Sequence, residues 1–196
     1  LGIAGGWTPA VHLFTQSGGK LKFRDEDQVF IPNKYPSKQI SIGSCNGDFE
    51  LDEIIKNSSK SLKEFLKIDQ TDYENLSVVN SKETNKKNIW LLPSDKVIGK
   101  TKPFVDYQND ATAKDIKLAL REGFRSIEHV KRYTTTGMGT DQGKLGNMHA
   151  LGIIADTAGV KMGELGTTTF RPPYTPLTFG TIVGINVGEF FDIFRR

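Results

Sequence analysis

Two stretches of glycines and small hydroxyl residues beside cations are the parts of this chain best suited to bind a ligand. Residues 134–144 are flanked by Lys131 and Arg132, and residues 167–173 contain Arg171. Bare backbone N–H groups, hydroxyl donors and fixed positive charges are what a phosphate group requires. Neither stretch holds a nucleophile–base pair or a metal-ligand set, so the pattern predicts a cofactor cradle and no catalytic residue.

The residues assigned to this cradle share a donor group or a positive charge. They are Arg132, Thr135, Thr136, Gly137, Gln142, Lys144, Thr168 and Arg171. Two plainer interpretations stay open: a Gly/Thr loop that only caps the next helix, and a crossover stiffened by prolines after Arg171. Two further turns, at Gly5, Gly6 and Trp7 and at Gly43, are candidates for facing a nucleotide.

Composition excludes several classes of protein. The net charge of +3 is too small to predict a nucleic-acid or membrane partner, and no apolar run approaches the length of a membrane span. The single cysteine, Cys45, excludes an internal disulfide and fits a cytoplasmic protein. His12, His129 and His149 share no metal-ligand spacing and are predicted to be packing or surface residues. The opening residues resemble a strand end without an initiator Met, so we expect an excised piece of a longer polypeptide.

Hydrophobic periodicity predicts a mixed α+β chain. Strands are predicted at 20–24, 28–31 and 39–43, a helix at 51–66, and a polar linker around 80–88. Thr112 and Asp115 form a capping pair for a second helix that stops near Gly123. Ser126 begins another helix, with Ile127, Val130 and Tyr133 facing inward, and residues 146–158 form the last of three helices.

Long strings of residues resemble the α subunit of heterotetrameric sarcosine oxidase. They include 5–13, 104–110, 121–126, 128–134 and 167–176. The resemblance implies the C-terminal part of an α/β dinucleotide-binding domain at 1–68 and a linker at 69–103. It further implies a three-helix domain at 104–160, similar to that of bacterioferritin-associated ferredoxin, and a Gly/Pro-rich connector at 161–196 toward a missing folate-binding domain.

The same resemblance implies the chemistry and the partners. The complex oxidatively demethylates sarcosine to glycine, oxygen becomes hydrogen peroxide, and tetrahydrofolate takes the one-carbon unit. The intact α subunit holds NAD, the β subunit holds FAD, and FMN lies at the α–β interface. The smaller γ and δ subunits complete the assembly. The chain alone is then expected to be inactive, and the alternatives are a related proline or octopine dehydrogenase subunit or a purely structural assembly module.

The chain departs from the pattern of the related dehydrogenases at one place. Their helical domain binds a two-iron cluster through four cysteines, and the matching positions here are Asp106, Gln108, Asp141 and Gly146. An iron–sulfur cluster requires thiolates, so the resemblance implies a domain that keeps its fold without its cluster. The glycine-rich dinucleotide fingerprint is also absent, so NAD binding by this chain alone is not expected.

Overall fold

The structure is a computed structural model that describes residues 7–68, 88–97, 100–172 and 175–190. In chain order its elements are α1 (His12–Gln16), β1 (Lys20–Arg24), β2 (Val29–Lys34), α2 (Leu51–Leu66), β3 (Phe104–Asp106), β4 (Ala111–Thr112), α3 (Ala113–Arg121), α4 (Ile127–Thr134), α5 (Asn147–Ala158), α6 (Met162–Leu165) and α7 (Phe179–Val183). Short 3-10 turns lie at Gly43–Asn46 and Ile185–Phe190. The architecture is mixed α/β, as predicted.

One hydrophobic core joins the helices to the first hairpin. Helices α3, α4 and α5 pack around Ile116, Val130 and Ile154, which are almost completely buried. Phe30 of β2 belongs to the same core, and Trp90 packs against it from the segment before β3. The hairpin and the helices are therefore stabilised by the same buried surface.

Strands β1 and β2 form an antiparallel hairpin that positions Phe30. Phe23 lies opposite Phe30, with ring centroids 4.9 Å apart. Helix α6 packs closely on the same hairpin. A Cβ built on its Gly163 would lie only 3.2 Å from the Cβ of Phe23. A second small antiparallel pair, β3 with β4, leads directly into α3.

The start of α3 shows why the sequence predicted it. The Thr112 side chain accepts a hydrogen bond from the backbone of Asp115, and the Asp115 carboxylate accepts the Thr112 N–H at 2.8 Å. This reciprocal capping box satisfies two N–H groups that a helix leaves free at its first turn. Gly123 follows the helix with a φ of +98°, a conformation that glycine adopts without strain.

Two expectations differ from the structure. The predicted strand at 39–43 is an irregular segment that runs into the 3-10 turn, since none of the described strands pairs with it. Tyr133 is 45% exposed instead of facing inward, and its ring packs on Phe124 at 4.9 Å. Helix α2 has its predicted bounds, but none of its residues is buried.

Within the described ranges, no helix combines the length and the hydropathy needed to cross a bilayer.

Candidate functional site

Two segments that the sequence assigned to one site lie against each other. We call residues 135–146, between α4 and α5, the threonine–glycine loop, and residues 167–172, after α6, the crossing segment. The backbone N–H of Arg171 donates to Gln142 Oε1 at 3.3 Å, and Asn147 Nδ2 donates to Thr168 Oγ1 at 3.1 Å. The crossing segment is therefore bound to the loop through Gln142 and to the start of α5 through Asn147.

Helix α4 holds the crossing segment through one residue. Thr169 donates its N–H to Glu128 Oε1 at 3.0 Å, and its carbonyl accepts from Lys131 Nζ at 3.5 Å. Glu128 and Lys131 are three residues apart and so lie on the same face of the helix. The backbone of the crossing segment is thus bound to α4 at Thr169 through both its N–H and its carbonyl.

Lys131 brings a positive charge into the protein interior. Its side chain is only 7% exposed, and burial lowers its pKa from the ordinary value because the ammonium has lost water. The carboxylate of Glu128 opposes this change, while the nearby cations of Arg171 and Arg132 lower the pKa further. The charges that act on the Lys131 ammonium therefore belong to α4 and to the crossing segment.

The threonine–glycine loop begins with hydroxyl groups that turn inward. Thr134 Oγ1 donates to the Val130 carbonyl at 2.8 Å and lies 2.7 Å from Thr136 Oγ1. Thr135 ends the helix with a φ of +59°, and Met138 N–H then donates to its carbonyl at 3.1 Å. The hydroxyls of Thr134 and Thr136 are thus used to fold the loop and are buried.

The Asp106 carboxylate, at the end of β3, links the turn after β3 to the loop. Its Oδ2 accepts the N–H of Gly137 at 2.6 Å, and its Oδ1 accepts the N–H groups of Gln108 at 2.8 Å and Asn109 at 3.0 Å. Asp106 is only 6% exposed. Converging backbone N–H groups are an anion site, and here the anion is a side chain of the same chain.

Gln108 and Gly146 complete the contact between the β3 end and the loop. Gln108 donates from Nε2 to Thr140 Oγ1 at 2.9 Å and accepts the Asp141 N–H at 3.1 Å. A Cβ on Gly146 would lie 2.5 Å from the carbonyl oxygen of Val105, so the residue must be glycine for this approach. The positions that match cluster ligands in the resemblance therefore come to one place and are linked by hydrogen bonds and backbone contact.

Asn147 explains two of the loop glycines. A Cβ built on Gly137 would lie 2.4 Å from Asn147 Oδ1, and one on Gly143 would lie 2.1 Å from the same atom. Both glycines also have positive φ, at +71° and +74°. The side chain of Asn147 fills the inside of the loop, and these glycines let the backbone close around it.

The structure distributes the predicted cradle residues over three environments. Thr136, Gly137 and Thr168 are buried; Gln142 and Lys144 are half-buried; Arg132, Thr135 and Arg171 are exposed. The buried members bond within the protein, so an external ligand would meet the half-buried and exposed ones.

Of the two candidate nucleotide-facing turns, the structure describes Gly43 and Trp7. Gly43 is buried at the start of a 3-10 turn, where a Cβ built on it would lie 3.6 Å from Ile54 of α2. Trp7 is 88% exposed, and Gly5 and Gly6 lie outside the described residues. The residues just after Trp7 do approach the loop, as the next cavity shows.

A cavity of about 30 Å³ lies between the N-terminal turn and the loop. Its lining includes His12, Lys144 and Phe170. His12 is buried, and its ring centroid lies 3.8 Å from that of Phe170. Burial lowers the pKa of His12 from 6.5 to about 4; the Lys144 cation lowers it too, and the Asp141 carboxylate opposes both. The imidazole is therefore neutral at pH 7.

Sequence reasoning gave no site role to three residues of this region. The resemblance indicates Asp106 only as a cluster position without its cysteine. Composition indicates Lys131 only as a flanking charge, and spacing indicates His12 only as a packing or surface residue. Each is buried by elements far away in the sequence, so no local pattern marks them. In the part of the chain that the structure describes, no group of three His, Cys, Asp or Glu side chains is arranged to hold a metal ion.

Comparison with known proteins identifies relatives of the whole chain. The family model described as the sarcosine oxidase A3 domain matches residues 100–185. The sarcosine oxidase α subunit of Rhizobium meliloti (strain 1021) is 35% identical over 207 residues, covering 100% of this chain and 20% of that subunit. The corresponding subunit of Corynebacterium sp. (strain P-1) is 35% identical over 202 residues, covering 98% of this chain and 20% of that subunit.

Two other proteins share part of this similarity. One subunit of the opine oxidase of R. meliloti (strain 1021) is 33% identical over 76 residues, covering 39% of this chain and 17% of that subunit. The crystal structure of L-proline dehydrogenase from P. horikoshii aligns with a TM-score of 0.55 at 21% identity, covering 90% of this chain and 37% of that one. At that identity, the structural match shows a shared fold.

The chain spans about a fifth of the length of the curated sarcosine oxidase subunits that it matches. These relatives are named as subunits, so they work with other chains. The resemblance found in the sequence is confirmed: over its whole length this chain is similar to part of the sarcosine oxidase α subunit, and the family model of the sarcosine oxidase A3 domain matches residues 100–185.

Proposed function

We propose that this chain is part of the α subunit of a cytoplasmic sarcosine oxidase and helps to form the FMN site at the interface with the β subunit. The complete complex would demethylate sarcosine to glycine, with hydrogen peroxide as the reduced product and tetrahydrofolate as the one-carbon acceptor. NAD would belong to the intact α subunit, FAD to the β subunit, and γ and δ subunits would complete the assembly. The support is the identity of 35% to two sarcosine oxidase α subunits.

The observation that carries the FMN proposal is a group of cations on α4 and the crossing segment. Lys131 Nζ donates to the Thr169 carbonyl at 3.5 Å, and Arg132 and Arg171 are exposed, while the Glu128 carboxylate opposes their charge at Lys131. A flavin phosphate is an anion, and arginine matches phosphate geometry with paired donors. Arg132 and Arg171 are exposed, whereas Lys131 is buried. The arginines would therefore contact the phosphate, and Lys131 would contribute its charge from the interior.

The fit to a phosphate is good for the side chains and poor for the loop backbone. The Gly137 N–H is bound to Asp106, and the Gly143 N–H donates to Asp141 Oδ1 at 3.1 Å. We therefore narrow the cradle from eight residues to its accessible cations, with Gln142 holding the backbone of Arg171. When bound, FMN supplies the redox chemistry, and this chain binds and orients it.

The test uses the complete complex with Arg132→Ala and Arg171→Ala. Each arginine is expected to strengthen FMN binding by about tenfold, the value of one charge-assisted hydrogen bond. Arg125→Ala is the matched control, because Arg125 is also an exposed arginine near α4. FMN content and oxidase activity are measured together; unchanged values in both variants would refute the phosphate contact.

A purely structural assembly module is the second candidate function. It is favoured by the same occupied N–H groups, because a loop that binds its own carboxylates needs no external anion to be folded. This hypothesis predicts normal FMN content in both arginine variants but weaker association with the β subunit when the loop is disrupted. Sedimentation of the complex and flavin absorbance, measured on the same samples, separate the two candidates.

The amine substrate is tested separately. The opine oxidase relative matches 39% of the chain, whereas the sarcosine oxidase subunits match 98–100% of it. We therefore expect sarcosine to be oxidised in preference to octopine or proline. Comparing kcat/KM for the three amines in the complete complex checks this, and a higher value for octopine or proline would assign the chain to the related dehydrogenases.

A further inference from the structure

We propose that Asp106 is the positioning residue of the site: its carboxylate is a built-in anion that fixes the threonine–glycine loop and, through it, the backbone of Arg171. The role of Arg171 in this proposal rests on the proposed FMN contact. The anchoring of the loop by Asp106 does not. It stands on hydrogen bonds within the chain.

The two oxygens of Asp106 accept from different backbone N–H groups, and the side-chain Nδ2 of Asn109 also donates to Oδ2, at 3.5 Å. Oδ1 accepts from Gln108 and Asn109, two and three residues further along the chain, and so holds the turn that follows β3. Oδ2 accepts from Gly137, which is 31 residues away, and so joins that turn to the loop. Because Asp106 is buried, water cannot replace either contact without opening the loop.

The position of Gly137 reaches Arg171 through a short chain of contacts. Met138 and Gly139 follow Gly137, and the Gly139 carbonyl accepts from both the backbone N–H of Gln142 at 3.0 Å and its Nε2 at 2.9 Å. With its amide group held in this way, Gln142 presents Oε1 to the Arg171 N–H. Release of Gly137 would therefore loosen the Gln142 side chain that sets the path of Arg171.

Because the two oxygens accept from different N–H groups, a substitution can remove one set of bonds and keep the other. Asp106→Asn keeps one carbonyl oxygen, which can still accept the two N–H groups of the turn. Its other atom becomes an NH₂ donor, which faces the N–H of Gly137 and cannot accept from it. Asp106→Ala removes both sets of bonds. The asparagine variant thus separates the link to the loop from the folding of the turn.

Amide hydrogen exchange in the 196-residue chain measures each contact. In Asp106→Asn, Gly137 should exchange faster by about 10- to 100-fold, the cost of one hydrogen bond to a charged acceptor, while Gln108 and Asn109 stay protected. In Asp106→Ala all three amides should exchange faster. The matched control is Asp156→Asn, which changes an exposed carboxylate on α5. Unchanged protection of Gly137 in Asp106→Asn would overturn the proposal.

A measurement on the unaltered chain covers the case in which the variants do not fold. A scalar coupling through the hydrogen bond, between the Gly137 amide nitrogen and the Asp106 carboxyl carbon, is expected in the NMR spectrum. Its absence, with the other backbone couplings present, would overturn the anchoring role.

FMN affinity in the complete complex separates this proposal from the proposed function. If both hold, Asp106→Asn and Arg171→Ala each weaken FMN binding. If neither variant changes FMN affinity although Gly137 is released, the FMN contact is wrong and the anchoring stands. If Arg171→Ala weakens binding and Asp106→Asn does not, the positioning of Arg171 by Asp106 is wrong.

Discussion

Acidification should destabilise this chain through one residue, His12. The buried ring lies against Phe170, and burial together with the Lys144 cation lowers its pKa from 6.5 to about 4. In the unfolded chain the imidazole takes up a proton near pH 6.5, whereas in the folded chain it stays neutral until about pH 4. The unfolded state therefore binds more protons between these values, so stability falls as pH falls.

The magnitude follows from the two pKa values. The contribution of His12 is fully present above pH 6.5 and is lost as pH falls toward 4. Between pH 7 and pH 5 the free energy of unfolding should decrease by about 2 kcal/mol on account of this group. Such a loss is a large fraction of the stability of a domain of this size.

Urea unfolding at pH 7 and at pH 5 measures this loss in the unaltered chain and in His12→Phe, which keeps a ring but cannot titrate. The variant should show a loss smaller by about 2 kcal/mol, whatever its absolute stability. His129→Gln, at an exposed histidine, is the control and should behave like the unaltered chain. If His12→Phe loses as much stability as the unaltered chain, the buried imidazole is not the cause.

Two further predictions concern the helices that support the site. Thr112→Ala removes the side chain that caps α3 and should lower the free energy of unfolding by about 1 kcal/mol. Chemical denaturation measures this loss, with Lys114→Ala on the same helix as the control. Equal losses in the two variants would contradict the capping role. Gly152→Ala would place a Cβ 2.1 Å from the Trp90 ring, so Trp90 should leave its position, with a red shift of its fluorescence and a loss of about 1–3 kcal/mol. An unshifted emission spectrum would show that Trp90 does not pack on α5.

The elements that depend on local patterns could be predicted from the sequence. Helix α2 has its predicted bounds, and the pair of Thr112 and Asp115 forms the expected capping box. Helix α5 ends at Ala158, before Gly159 with a φ of +68°, as the glycine stop predicts. In each case the signal lies within the element or next to it, so periodicity and capping chemistry suffice.

The candidate site could be predicted only in part, because its contacts are long-range. The grouping of residues 134–144 with 167–173 was visible from composition, and their contact through Gln142 and Arg171 is present. The sequence did not show that the Gly137 N–H of the loop is already bound by Asp106, because that carboxylate lies 31 residues away in the chain. A glycine-rich loop looks the same in sequence whether its anion is a phosphate or a distant carboxylate.

The way in which Thr169 is held has a consequence for mutational tolerance. Its N–H and carbonyl are bound by Glu128 and Lys131, while its own side chain is exposed. Every residue except proline offers the same two backbone groups, so position 169 should accept many substitutions although its path is tightly determined. The constraint falls on two residues of α4, about forty positions earlier in the chain. A fixed backbone can therefore coincide with a freely varying side chain.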